Sequence, residues 1–270
     1  MSRMTSGTVD GLHYELHGGP VAGRTAVVLS SGLGGSGAFW APQMAALTAK
    51  FPVVLYDHRG TGRSVRELTQ PHSVQAMADD IVKVMDALGL AKAHVVGHAA
   101  GGNAGLAMAL SHPDRLARLV VVNGWSRPDP HIRRCFDTRI HLLNDSGIEA
   151  YVHAQPIFLY PASWLSENHE RLQAEEPHHV AGFPPRDVML ARIQALLDFD
   201  IDDRLGEILH PVLVSASADD MLVPVGCSMR LAEGLPNAQL EVAPWGGHGF
   251  TVTDPETFNS ALLSFLEGDG

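Results

Sequence analysis

The sequence predicts an α/β protein with a mostly parallel sheet flanked by helices. Three observations carry this expectation: short, nearly unbroken Val/Leu runs, helical patterns between them, and the alternation of the two along most of the 270 residues. Runs that are apolar at every position suit strands buried on both faces, as a parallel sheet requires. Strands alternating with helices imply right-handed crossovers.

The elements follow in order. TAVVLSS (25–31), FPVVLYD (51–57), AHVVGHA (93–99) and LARLVVVNG (116–124) are the first four strands. PVLVSAS (211–217) and AQLEVAP (238–244) come much later. A helix is expected over 74–89, where Val74, Met77, Ile81, Val84, Met85 and Leu88 recur at i, i+3, i+4 spacing. Others are expected over 101–111, 226–234 and 255–266. Gly89 and Gly234 stand where helix C-caps belong. Between about 125 and 206 the rhythm breaks. SRPDP, LYPASW, EEPHH and GFPPRD interrupt helix-like stretches, and no Val-rich run occurs. This is a helical cap, 125–206, inserted into a core of 1–124 and 207–270. Long insertions commonly build the binding side of a site.

Composition bounds the partners. With 45% hydrophobic and 18% charged residues, the chain is an ordinary folded protein. Acidic residues outnumber basic ones 30 to 19, a net charge of −11 without a basic stripe. Neither nucleic acid nor an anionic membrane is an expected partner. No apolar run approaches membrane-spanning length, and MSRMTSGTVDGLHYELHGG lacks a signal-peptide apolar segment. Two cysteines, Cys135 and Cys227, make neither a disulfide framework nor a zinc site. The 15 histidines are scattered, without metal-ligand spacing. A cytoplasmic enzyme, monomer or homodimer, without metal or cofactor, is expected.

The chemistry starts at the third strand. Gly97-His98-Ala99-Ala100-Gly101 lies between strand and helix, with the small residues that a sharp nucleophile elbow needs. The nucleophile position is Ala99, which has no reactive atom, so the motif alone is also consistent with a plain tight turn. Two downstream features strengthen it. Asp219-Asp220 follows a strand and precedes Pro224; Asp220 is the candidate acid and Asp219 a turn or capping residue. His248, in Gly246-Gly247-His248-Gly249, is the candidate base. The order elbow, acid, histidine is that of a hydrolase class. Backbone N–H groups of Leu33 and Ala100 are the candidate oxyanion donors. A competing pattern, Gly32-x-Gly34-x-x-Gly37 with Asp57 twenty residues on, formally matches a dinucleotide fingerprint. It lies on an internal strand, Pro42 shortens the following helix, and Asp57 continues into a turn-rich loop.

GLGGSGAFW, YDHRGTGRS, VVGHAAGG, ASADDMLVP and GGHGF, in this order, resemble the α/β-hydrolase family over nearly the whole chain. VNGW (122–125), HIRRCF (131–136) and AQPIFLYPASW (154–164) are similar to a branch assigned to aminoacrylate or carbamate hydrolysis in pyrimidine utilisation. Chains of that branch tend to carry alanine at the elbow and Ser-Gly at 31–32. The resemblance implies an α/β-hydrolase fold and hydrolysis of a small C–N compound. A serine esterase or C–C hydrolase bearing a Ser-to-Ala change at 99 is an alternative, as is a catalytically silent binding module.

An Asp–His pair alone can activate water: Asp220 holds the His248 tautomer and His248 takes the proton. An enamine that tautomerises to an imine needs no acyl–enzyme. Either substrate is a small-molecule carboxylate, so a local cation is expected. Arg133 and Arg134 in the cap, or Arg59, are the candidates, though one of the adjacent pair suits a solvated helix face. His98 fits an assisting role or a buried elbow residue. Trp125, Phe158, Tyr160 and Trp164 are expected to line the cap, by packing or by substrate contact.

Overall fold

The computed structural model describes residues 4–68 and 71–268. Its strands are β1 (Thr5–Val9), β2 (Leu12–His17), β3 (Ala26–Ser30), β4 (Val53–Tyr56), β5 (Ala93–His98), β6 (Leu116–Val122), β7 (Val212–Ser217) and β8 (Ala238–Ala243). They form one sheet in the order β1-β2-β4-β3-β5-β6-β7-β8. β2 runs antiparallel to β1 and β4; the remaining pairs are parallel. The first hairpin is absent from the strands expected above. Its signal is Asp10-Gly11, both at positive φ, the geometry of a tight two-residue hairpin turn.

The helices are α1 (Ala41–Thr48), α2 (Val74–Ala87), α3 (Ala100–Ser111), α4 (Pro130–His141), α5 (Gly147–Leu159), α6 (Ala162–Glu167), α7 (His169–Gly182), α8 (Arg186–Leu197), α9 (Val225–Gly234), α10 (Phe250–Thr253) and α11 (Pro255–Glu267). Side-chain alternation along the strands divides the core. Val28, Val54, Val95, Val121 and Val214 face α2 and α3, packing with Ile81, Met85 and Leu106. Val27, Val53, Val96, Val120 and Leu213 face the other way, onto Trp40, Phe258 and Leu262.

α2 begins where Ser73 Oγ accepts from Ala76 N–H, and Gly89 beyond its end takes φ +66°. Gly234 differs from the expected cap. It is the last helical residue, not a left-handed one, and a Cβ there would meet Leu205 at 2.5 Å. Close packing explains that glycine. β8 also departs from the double-sided burial expected of it, because it is the sheet's edge and is mostly exposed. β6 and β7 are neighbours, yet α4 to α8 lie between them in sequence. The intervening chain therefore leaves the sheet and returns beside its own start. Among the described residues, no helix is long and apolar enough to cross a membrane.

Candidate active site

β5 hands over to α3 through Ala99, at φ 46°, ψ −107°. A side chain held there stores strain that its surroundings must offset. Ala99 N–H donates to Val122 O at 2.7 Å, and its carbonyl accepts from Asn103 N–H at 2.9 Å. The glycines explain how strand and helix come so close. A Cβ on Gly97 would overlap the Gly101 backbone, and one on Gly101 would overlap the Ser30 carbonyl. The turn is therefore built as an elbow, although the methyl it presents cannot attack.

His248 Nδ1 lies 2.8 Å from Asp220 Oδ2. The carboxylate accepts, so Nδ1 carries the proton and Nε2 keeps its lone pair, without a hydrogen bond to any described residue. Asp220 Oδ1 is itself fixed by the N–H groups of Leu222 (2.7 Å) and Val223 (2.8 Å). Both side chains are buried. The 2.8 Å bond sits within a lattice of loop anchors. Asn123 Nδ2 and His98 Nε2 each donate to the His248 carbonyl at 2.8 Å. Asp219 Oδ1 accepts from Gly247 N–H at 2.8 Å, the turn role expected of it. Leu159 O, at the end of α5, accepts from Gly249 N–H at 2.8 Å. Sequence reasoning missed Asn123 and Leu159; positive φ at Asn123 marks the former only in coordinates.

The ring of His98 packs 4.6 Å from that of His248. Burial, then the neighbouring imidazole, pushes its pKa down to about 3, so it stays neutral. Its Nδ1 is buried without a partner and faces Gly32, where a Cβ would come within 2.8 Å. His98 thus holds the base's loop in place. The Leu33 and Ala100 N–H groups are not engaged by another described residue, and Ala100 opens α3, whose N-terminus favours negative charge.

Other candidates are placed differently. Asp57 is buried, accepting from Gly37 N–H and from Arg63; it is consumed by its own loop and offers no ribose-binding tip. Arg59 is buried in ion pairs with Asp80 and Asp10. Arg133 and Arg134 are exposed on the outer face of α4, in an open groove with Asp137 and Asp145. The structure does not bring them to His248. Trp125 is buried beside Asn103, and the Tyr160 ring packs tilted against that of Trp164, 4.5 Å between centroids. Tyr160 also covers Gly249, where a Cβ would meet its ring at 2.6 Å. Tyr160 thus seats the base's loop, with Trp164 packed behind it.

Among the described residues four imidazoles are held neutral by burial: His98 at about 3, His72 and His94 at about 4, and His58, also well below its ordinary value. Unfolding returns each to about 6.5, so the unfolded chain binds more protons below that value. Stability should therefore fall as pH drops from 7 to 5, by roughly 2 kcal/mol for each sealed group. Urea unfolding at the two pH values checks this; equal midpoints would mean that the rings are not sealed.

A model of the alpha/beta hydrolase fold matches residues 25–147. A Caulobacter vibrioides chain named carbamate hydrolase RutD is 79% identical over 268 residues, covering 99% of this chain and 100% of that one. An Agrobacterium fabrum chain of the same name is 52% identical over 255 residues, covering 94% and 98%. Among solved structures, an enol-lactonase from Burkholderia xenovorans superposes with TM-score 0.86 at 25% identity, covering 98% of this chain and 100% of that one.

Proposed function

The chain belongs to the alpha/beta hydrolase family, among chains named RutD, and from that premise we propose that it hydrolyses a small C–N compound, 3-aminoacrylate or carbamate, with water activated by His248. One observation carries the reading: an ordered Asp–His pair is retained beside an elbow whose nucleophile position is alanine. A binding module would not require a buried carboxylate to fix one tautomer of a histidine.

The chemistry follows from the atoms. Nε2 takes a proton from water as its oxygen bonds to the substrate carbon. Asp220 holds the ring and stabilises the imidazolium. The same proton then goes to the departing nitrogen, which leaves as ammonia. For aminoacrylate, the imine tautomer accepts the water and that proton to give a carbinolamine; its hydroxyl proton then passes through His248 to the amine, which leaves as ammonia while the carbon–oxygen double bond of the aldehyde acid forms. For carbamate, the product is bicarbonate. The Leu33 and Ala100 amides stand ready for a developing oxyanion. In this reading the enzyme needs no cofactor and serves cytoplasmic pyrimidine nitrogen catabolism.

The test is ammonia release from 3-aminoacrylate generated in situ, and separately from carbamate. General acid–base help is typically worth about 10²–10⁴-fold over the spontaneous reaction. Acceleration of at least one substrate is expected. Background rates for both would remove the proposal.

A further inference from the structure

The inner face of α4 carries a cation that the sequence reading passed over. Arg139 lies two turns on from Ile132 and one from Cys135, and only 4% of it is exposed. Its guanidinium carbon is 4.9 Å from the Tyr151 ring centroid, 5.6 Å from that of Phe158 and 5.8 Å from that of Phe136. Its Nε finds no hydrogen-bond partner among the described residues. A buried guanidinium faced by rings instead of a carboxylate is expensive to desolvate. Arg192, the other buried arginine on the cap, differs: it donates to the carbonyls of Leu33 and Arg59.

Three neighbours of Arg139 locate it. Phe158 precedes Leu159, whose carbonyl anchors the loop of His248. Cys135 packs on Met221 O, beside Asp220. Tyr151 bonds Met189 on α8, the helix from which Arg192 ties down Leu33. The residues around Arg139 thus pack on the elements that hold the base, the acid and the oxyanion loop.

We propose that Arg139 is the carboxylate anchor of the substrate site. A planar fork whose Nε donor is unspent suits pairing with a carboxylate, and the apolar cage keeps water from competing. This deepens the functional reading above and rests on it for the carboxylate character of the substrate. Arg133 and Arg134, on the opposite face of the same helix, have no such enclosure.

The experiment compares propionate with propionamide by ligand-observed NMR titration, which needs no turnover. Wild type is expected to prefer the carboxylate. Arg139→Gln should weaken propionate about 10- to 100-fold, the worth of charge-assisted hydrogen bonds, and leave propionamide unchanged. Arg139→Lys keeps charge and most packing and should lose less. In steady state, KM should rise more than kcat falls. Propionate binding as in wild type in either folded variant, or equal loss of both ligands, would make Arg139 a packing residue and overturn the proposal. Charge-dependent binding without turnover of either C–N substrate would leave the anchor standing and remove the reaction instead. Wild-type protein that binds neither ligand would overturn the anchor and leave the reaction to the ammonia assay.

Discussion

Replacing His248 by alanine is expected to slow ammonia release by about 10²–10⁴-fold. The reason is positional. His248 is the imidazole whose tautomer is set by a buried carboxylate, and its loop is pinned from four directions, by Asn123, His98, Asp219 and Leu159. The anchors grip the loop backbone, so removing the ring should not release it. His248→Gln, which keeps more volume and a hydrogen bond to Asp220, should be comparably slow, because an amide is not a base. Melting curves and circular dichroism of both variants separate chemistry from folding. A folded variant with the wild-type rate would remove His248 from the reaction.

Ala99→Ser is expected to create activity that the wild type lacks. Ala99 already holds the strained backbone of the elbow, so the turn does not depend on what its side chain does. Serine adds one oxygen to a turn whose close strand–helix approach is already secured by Gly97 and Gly101. With His248 and Asp220 in place the hydroxyl completes a triad, and the Leu33 and Ala100 amides complete the site for a tetrahedral oxyanion. Hydrolysis of p-nitrophenyl acetate should rise by about 10²-fold, the lower end of what general base assistance supplies. The new serine should also label with a fluorophosphonate. A small gain spread over many esters fits a site tuned for water. A large gain confined to one ester class would point to a serine enzyme in which alanine has replaced the nucleophile. A folded variant that neither turns over esters nor labels would show that elbow, acid and base do not converge.

The sheet was legible because buried parallel strands leave uninterrupted apolar runs, and β3 to β7 did so. β1 and β2 were not, since a half-exposed hairpin mixes Thr, Ser, His and Glu with its apolar residues; only Asp10-Gly11 gave it away. His248 and Asp220 could be named because glycines and a nearby proline frame them. Their supports could not. Asn123 reaches the His248 carbonyl across 125 residues of sequence, and Leu159 uses only a backbone oxygen, which no side-chain pattern reports. The cap arginines show the limit most clearly. Arg133, Arg134 and Arg139 share one helix, and the adjacent pair draws the eye. The burial pattern of α4 turns only the third of them inward, with Ile132, Cys135 and Phe136. In a linear sequence that selection depends on which face meets the core, and a charged residue on the inner face disguises the period.

The central claim is that water, not a side chain, attacks the substrate carbon. Intact mass of the protein, quenched during turnover of the C–N substrate, tests it most directly, with Ala99→Ser quenched on an activated ester as the positive control. The expected result is unmodified wild-type protein at every time point and an acyl adduct on the serine variant. A wild-type adduct with the mass of the substrate or its acyl fragment, forming and decaying at the rate of ammonia release, would contradict it.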